Sequence, residues 1–150
     1  ALSYLRNKYC INSIADNDKY IGITLENEDT NIPNWNKINN NIVKNFIIEK
    51  GIQNNGNILE YDNYISICNK FQNSIDLISA DAGLDFTNNY IEQEKIMFKL
   101  ITSQICYALK LQKQNGCFII KVFDLFLKPS VELIFLLTCF YKEVYIKERC

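Results

Sequence analysis

The sequence predicts an α/β domain: a mostly parallel, doubly wound sheet with helices on both faces. Short apolar runs, typical of buried strands, alternate along the chain with stretches whose apolar residues recur every three or four positions, as in helices. Alternating strands and helices form this class of fold. The 150 residues are 48% hydrophobic and 22% charged, which is enough apolar material for one core but too short a chain for two ordinary domains.

Five segments are predicted before residue 60. The pattern predicts helices at residues 1–9 and 42–49, and strands at residues 20–25 and 58–59. A solvated loop is predicted at residues 26–41. The loop is crowded with Asn, Asp and Glu. The second helix has apolar positions three and four apart and is followed by Gly51, where a helix would stop.

Five more segments are predicted from residue 76 onward. Strands are expected at residues 76–81, 117–123 and 143–147, and helices at residues 91–112 and 131–141. The first of these helices carries an apolar stripe from Met97 to Leu109 and should end at Asn115 and Gly116. Ser130 is expected to cap the second helix.

Composition excludes several classes of function. A formal charge of −1 argues against a generally basic surface, so any contact with nucleic acid must come from a local groove of Lys and Arg. The chain has no His, and its six Cys form no CxxC pair, which argues against metal sites and thiol catalysis. We expect most thiols to be small core groups in a reducing compartment. The longest apolar run, residues 133–140, is far short of the ~20 residues that span a bilayer, so a soluble intracellular protein is predicted.

Two charged residues stand at or near the ends of predicted strands. Asp81 ends one buried strand, and Lys121 interrupts the apolar run of another. Ligands of open α/β sheets collect beyond the carboxyl ends of strands, so the two side chains are candidates for one site. From these two residues alone, a catalytic pair and a salt bridge that joins two strand ends are equally good interpretations.

The residues around this pair form a longer pattern. It comprises DLISADAGLDF at 76–86, Gln93-Glu94, GCFIIKVFDLF at 116–126 and Pro129-Ser130. In order and spacing it resembles the FtsJ-like (RrmJ-type) S-adenosylmethionine-dependent RNA 2′-O-methyltransferases, closest to their mRNA cap branch. The resemblance covers most of the chain and is strongest from residue 76 onward. It implies a Rossmann-like class I methyltransferase fold, and methyl transfer from S-adenosylmethionine to a ribose 2′-hydroxyl of RNA, next to the mRNA cap.

The resemblance also implies roles for individual residues. Asp81 and Lys121 match the aspartate and the later lysine of the family's Lys-Asp-Lys catalytic set, and Glu148 is a loose match for its late glutamate. Lys121 would hydrogen-bond the ribose hydroxyl and stabilise the developing alkoxide, or accept the hydroxyl proton; we expect a lysine that is charged or shares its proton. We expect Asp85 and Asp124, by contrast, to be structural.

For the methyl donor, the resemblance implies contacts from four residues, which are Asn57, Ile58, Asp81 and Ala82. Asn57 stands where the family commonly has an aspartate that reaches the adenine amino group, and its amide keeps an acceptor oxygen. The alternative is an ordinary turn residue in an Asn-rich segment. S-adenosylmethionine is the only cofactor expected, and no metal is predicted.

Parts of the family pattern lack counterparts in residues 1–150. The first strand, the Gly-rich loop, the earlier lysine and the final strand are missing, so we expect a partial methyltransferase domain. The expected partner is RNA, in particular capped mRNA, in the nucleus or cytoplasm. The alternatives are a ribosomal or transfer RNA 2′-O-methyltransferase, or an inactive methyltransferase-like domain that binds RNA or protein. A nicotinamide-dependent enzyme is poorly supported, because no G-x-G-x-x-G follows a strand.

Overall fold

The computed structural model describes residues 17–26, 45–83 and 92–147. Within these ranges the elements are β1 (Tyr20–Ile23), β2 (Phe46–Glu49), α1 (Tyr61–Phe71), β3 (Ile75–Ala80), α2 (Gln93–Leu111), β4 (Gln112–Ile120) and α3 (Lys128–Phe140). β1 pairs with β2 and β3 pairs with β4, in both cases parallel. The predicted α/β class with parallel strands is therefore confirmed. The chain forms two units, Ala1–Ile67 and Cys68–Cys150, with one two-stranded sheet in each.

The first unit corrects the helix predicted over residues 42–49. Its described part forms β2, whose Phe46 lies beside Tyr20 of β1. Asn45, just before the strand, has φ of +60°, a left-handed conformation that a right-handed helix cannot contain. Aromatic and β-branched side chains in β2 suit parallel pairing better than the helical spacing suggested. The strand predicted at residues 20–25 is confirmed over Tyr20–Ile23.

The loop between β2 and α1 is held by Asn63, which is only 1% exposed. Its Oδ1 accepts the backbone N–H of Gln53 at 2.8 Å. Its Nδ2 donates to Asn55 Oδ1 at 2.8 Å and to the carbonyl oxygen of Asn57 at 3.0 Å. A buried amide is tolerated when its donors and acceptor are used in this way. These three hydrogen bonds of the Asn63 side chain give the Asn-rich loop a defined shape.

Gly56 is required by the backbone that passes beside it. It has φ of +65°, and a Cβ at this position would collide with the carbonyl oxygen of Thr24. Gly56→Ala should therefore lower the free energy of unfolding by more than about 1 kcal/mol, measured by urea denaturation. Gly83→Ala is the control, because no atom of the described part of the chain lies within 4 Å of its added Cβ. Equal stability of the two variants would contradict this account.

The second unit contains a strand–helix–strand arrangement. β3 confirms the strand predicted at residues 76–81, and α2 leads directly into β4. Asn115 and Gly116 do not end the helix as predicted, because they lie inside β4. The pairing moves from Ile75 beside Gln112 to Leu77 beside Cys117, so the extra residues of β4 form a bulge.

The core of this unit is the apolar stripe of α2. Met97, Ile105 and Ala108 are almost completely buried, and Leu137 of α3 is buried as well. The predicted stripe is confirmed, although Leu109 is only half-buried. Fully burying a large apolar side chain contributes about 1.5–3 kcal/mol, so α2 is the main stabilising element of the unit.

The C-terminal part departs from the prediction at three places. β4 ends at Ile120 rather than at residue 123. Leu127, not Ser130, occupies the N-cap of α3, because Pro129 in the first turn starts the helix earlier. Residues 143–147 belong to no strand, since the described part of the chain offers them no pairing partner.

Other features concern the thiols and the membrane. Cys68 is buried, whereas Cys106, Cys117 and Cys139 are free and exposed, so the expected burial of most thiols is wrong for these three. None of the helices within the described ranges has the length and apolar character needed to cross a membrane. The predicted helix at residues 1–9 and the loop residues 27–41 lie outside the described residues.

Candidate active site

The carboxyl ends of β3 and β4 bring Asp81 and Lys121 together. Ala80 lies beside Ile120 in the parallel register, and the backbone N–H of Lys121 donates to the carbonyl oxygen of Ala80 at 3.0 Å. This hydrogen bond continues the ladder one residue past β4. Asp81 and Lys121 therefore leave the sheet side by side, and Lys121 Nζ lies 3.0 Å from Asp81 Oδ1.

This ion pair is open to solvent. The side chain of Lys121 is 53% exposed and that of Asp81 is 69% exposed. Lys121 Nζ also lies 5.8 Å from the ring centroid of Phe123. Lys121 thus follows the strand end and is not buried inside the apolar run that surrounds it in sequence. An exposed pair of this kind contributes only about 0–1 kcal/mol to stability.

A second ion pair joins the starts of the same two strands. Lys113 Nζ lies 2.5 Å from Asp76 Oδ1, and the two side chains are 45% and 76% exposed, respectively. The two pairs therefore match in chemistry and in exposure, and they differ in the end of the strands that they occupy. Ligands of parallel sheets bind at the carboxyl ends, which is where Asp81 and Lys121 lie.

The loop after Asp81 is fixed by a buried side chain of α2. The backbone N–H of Ala82 donates to Gln104 Oε1 at 3.0 Å, and Gln104 Nε2 donates to the carbonyl oxygen of Leu100 at 3.2 Å. Gln104 is only 5% exposed, whereas Asp81, Ala82 and Gly83 are all exposed. Sequence reasoning missed Gln104; the available signal was a polar residue within the apolar stripe of α2.

Glu94 is a buried carboxylate at the start of α2 that holds the segment following Lys121. Its Oε1 accepts the N–H of Leu127 at 2.9 Å, and its Oε2 accepts that of Phe126 at 3.2 Å. Burial raises the pKa of the Glu94 carboxyl, but a hydrogen bond from Ser130 and the two backbone hydrogen bonds outweigh it, so the pKa lies below its ordinary value of 4.5. Sequence reasoning placed Glu94 near a helix N-terminus and missed these contacts.

The pH dependence of stability should report on Glu94. Because folding lowers its pKa, the charged carboxylate stabilises the fold above the unfolded value of about 4.5, and this contribution is lost as the pH falls through the folded-state value. Glu94→Gln should therefore be less stable than the unaltered protein near neutral pH, and the difference should shrink in acid. Urea denaturation at several pH values measures it. Glu92→Gln, at an exposed neighbouring carboxylate, is the control; the same pH trend in both variants would refute the assignment.

Asn57 and Ile58, predicted to hold the donor, lie in a turn before α1. Asn57 Oδ1 accepts the N–H of Leu59 at 3.0 Å, and its carbonyl oxygen accepts the N–H of Glu60 at 3.3 Å. The strand predicted at residues 58–59 is therefore wrong, because these hydrogen bonds close a turn. An amide oxygen has two lone pairs, so Asn57 Oδ1 retains one for a ligand. The donor-binding roles of Asn57 and Ile58 stay predictions.

The remaining residues named from the sequence are Asp85, Asp124 and Glu148. Asp124 is exposed in the segment after β4, while Asp85 and Glu148 lie outside the described residues. No three Cys, Asp or Glu side chains within residues 17–26, 45–83 and 92–147 converge as metal ligands would.

Comparison with known protein families identifies the family of this chain. The family model described as FtsJ-like methyltransferase matches residues 7–149. The chain belongs to this family. Asp81 and Lys121 both fall within the matched residues, as do Glu94 and Gln104. The catalytic roles of Asp81 and Lys121 stay predictions.

Several curated relatives are similar to part of the chain. A protein of Drosophila melanogaster named cap-specific mRNA (nucleoside-2′-O-)-methyltransferase 2 is 34% identical over 61% of this chain. Proteins named as methyltransferase 1 of the same kind are 31% identical over 64% in Trypanosoma brucei brucei and 29% identical over 84% in Bos taurus. The matches span only 14%, 26% and 16% of these three relatives, respectively. No solved structure matches the chain significantly.

Proposed function

We propose that the chain forms the catalytic part of an S-adenosylmethionine-dependent RNA 2′-O-methyltransferase that acts next to the mRNA cap. The observation that carries this proposal is the exposed Asp81–Lys121 pair at the carboxyl ends of two adjacent parallel strands in an FtsJ-like chain. The names of the relatives support capped mRNA as the substrate. We infer a partial Rossmann-like domain over residues 1–150 and a nuclear or cytoplasmic location.

The pair suits an in-line displacement at a ribose oxygen. Lys121 would donate a hydrogen bond to the 2′-oxygen and stabilise the negative charge that develops on it. Asp81, 3.0 Å from Lys121 Nζ, would hold the ammonium in place and keep it aimed at the hydroxyl. Holding the reactants in line can contribute about 7–11 kcal/mol, so orientation is the largest effect that such a site has to supply.

The methyl donor would bind beside the loop that follows Asp81. Asp81, Ala82 and Gly83 are exposed, and none of the residues that the structure describes lies within 4 Å of a Cβ added to Gly83, which supports a ligand beside this backbone. Asp81 and Ala82 would contact the donor here, as predicted. S-adenosylmethionine would supply an electrophilic methyl group carried on a sulfonium. When the methyl group bonds to the 2′-oxygen, the sulfonium would become a neutral sulfide, and the hydroxyl proton would be released to the solvent that reaches the exposed pair.

Transfer of a labelled methyl group tests the proposal. The full natural protein is incubated with tritiated-methyl S-adenosylmethionine and a capped RNA, and the RNA is then digested to nucleosides. We expect the label in a 2′-O-methyl nucleoside at a cap-proximal position. A capped RNA with 2′-deoxyribose at the first two transcribed nucleotides is the matched control and should accept far less label.

Uncapped RNA substrates distinguish the proposed function from its alternatives. Label on uncapped ribosomal or transfer RNA, with none on capped RNA, would retain the chemistry but reject the cap. Label on a base, or no transfer to any of these RNAs, would reject 2′-O-methylation. Binding of RNA without transfer would favour the inactive methyltransferase-like domain.

A further inference from the structure

We propose that Gln104 is a positioning residue for the Asp81–Lys121 pair; this inference rests on the proposed function. Gln104 lies on α2, outside the pair, and touches the loop that carries Asp81 through one hydrogen bond to the backbone of Ala82. Its role would be to fix the direction in which the Asp81 carboxylate leaves the sheet.

The backbone of Asp81 is clamped on both sides. On one side, the carbonyl oxygen of Ala80 accepts the N–H of Lys121 at 3.0 Å. On the other, the N–H of Ala82 donates to Gln104 at 3.0 Å. Because the peptide unit between Asp81 and Ala82 is planar, fixing the Ala82 N–H fixes the ψ angle of Asp81. The ladder and Gln104 together therefore orient the side chain that meets Lys121.

Gln104 is itself held rigidly. Its side chain is buried, and Nε2 donates to the carbonyl oxygen of Leu100 one turn earlier in α2. Both ends of the amide are thus used, as a buried polar group requires. Ile101 and Ile105, its neighbours on the same stripe, are apolar and buried, so an apolar residue at 104 would suit the core. The polar contact to the loop explains why an amide stands there.

The test replaces Gln104 with Met, which keeps the length of the side chain and removes the acceptor. At saturating donor and RNA, kcat should fall roughly 10- to 100-fold with KM for RNA little changed, because small misplacements of reacting groups have effects of this size. Hydrogen exchange at the Ala82 amide should become about tenfold faster or more as its protection is lost. Gln104→Glu keeps the acceptor for the Ala82 N–H but loses the donor to Leu100, so its kcat should lie between those of Gln104→Met and the unaltered protein.

Ile105→Val is the matched control, since Ile105 is fully buried on the next position of α2 and makes no side-chain hydrogen bond to the loop. It should perturb packing but leave kcat within about twofold of the unaltered protein. If kcat of Gln104→Met equals that of Ile105→Val, or if Gln104→Glu is as slow as Gln104→Met, the positioning role is wrong while the proposed function stands. If the unaltered protein transfers no methyl group, the proposed function fails and the positioning role fails with it. Should Gln104→Met not fold, Gln104→Glu and its Ala82 exchange rate decide.

Discussion

Lys121→Met is expected to lower kcat for methyl transfer by roughly 10²–10⁴-fold while the protein stays folded. The ammonium is the group that would contact the ribose oxygen, and Met keeps the length of the side chain without its charge. Stability should change by about 1 kcal/mol or less, because the Lys121–Asp81 pair is exposed to solvent. Single-turnover methyl transfer on capped RNA measures the rate, and thermal unfolding measures the stability.

Lys113→Met is the matched control for this experiment. Lys113 forms the ion pair with Asp76 at the opposite ends of the same two strands, and its exposure is similar. Its replacement should have the same small effect on stability and leave kcat within about twofold. Equal losses of activity in the two variants would mean that ion pairing between the strands, rather than the position at their carboxyl ends, sustains transfer.

The proximity of Asp81 and Lys121 could be predicted because it follows from the order of the elements. Asp81 ends one apolar run and Lys121 interrupts another, and the two runs flank a single long helix. Parallel neighbouring strands need a crossover of this kind, and in a parallel pair the carboxyl ends meet at one edge. The sequence pattern is strong here because α2 is long and its apolar stripe is regular.

The strand β2 could not be predicted for the opposite reason. Its four residues, Phe46–Glu49, are too few to distinguish a strand from a helix by spacing, and their pairing with β1 depends on residues more than twenty positions earlier. The left-handed backbone of Asn45 excludes a helix, and Asn favours this conformation, but the segment is so rich in Asn that no single one marks the position. Tertiary pairing therefore decided the local conformation.

The roles of Gln104 and Glu94 were equally inaccessible to sequence reasoning. Gln104 hydrogen-bonds a backbone N–H 22 positions away, and Glu94 hydrogen-bonds backbone groups 32 and 33 positions away. A backbone N–H is present at almost every residue, so side-chain identity does not reveal which one is the partner. The sequence showed a polar residue inside an apolar stripe and a carboxylate near a helix N-terminus. The structure shows that each is used by a loop that follows one of the paired strands.

Asp81→Asn should lower kcat roughly 10²–10³-fold, with stability nearly unchanged. Asn has almost the same shape and keeps an acceptor oxygen, so the change removes the charge that holds Lys121 Nζ at 3.0 Å. Asp76→Asn removes the corresponding charge from the ion pair at the strand starts and is the control. It should leave transfer within about twofold of the unaltered protein.

The double variant with Asp81→Asn and Lys121→Met tests whether the two residues act as one catalytic unit or contribute independently to the rate. If Asp81 acts by holding Lys121, its charge has no further effect once the ammonium is gone, and the double variant should be about as slow as Lys121→Met alone. Independent contributions would instead multiply the two losses, so the double variant would be a further 10²–10³-fold slower, roughly, than Lys121→Met. The single-turnover rates of the four proteins complete this cycle, and a multiplicative result would show that Asp81 contributes to transfer by a route that does not pass through Lys121.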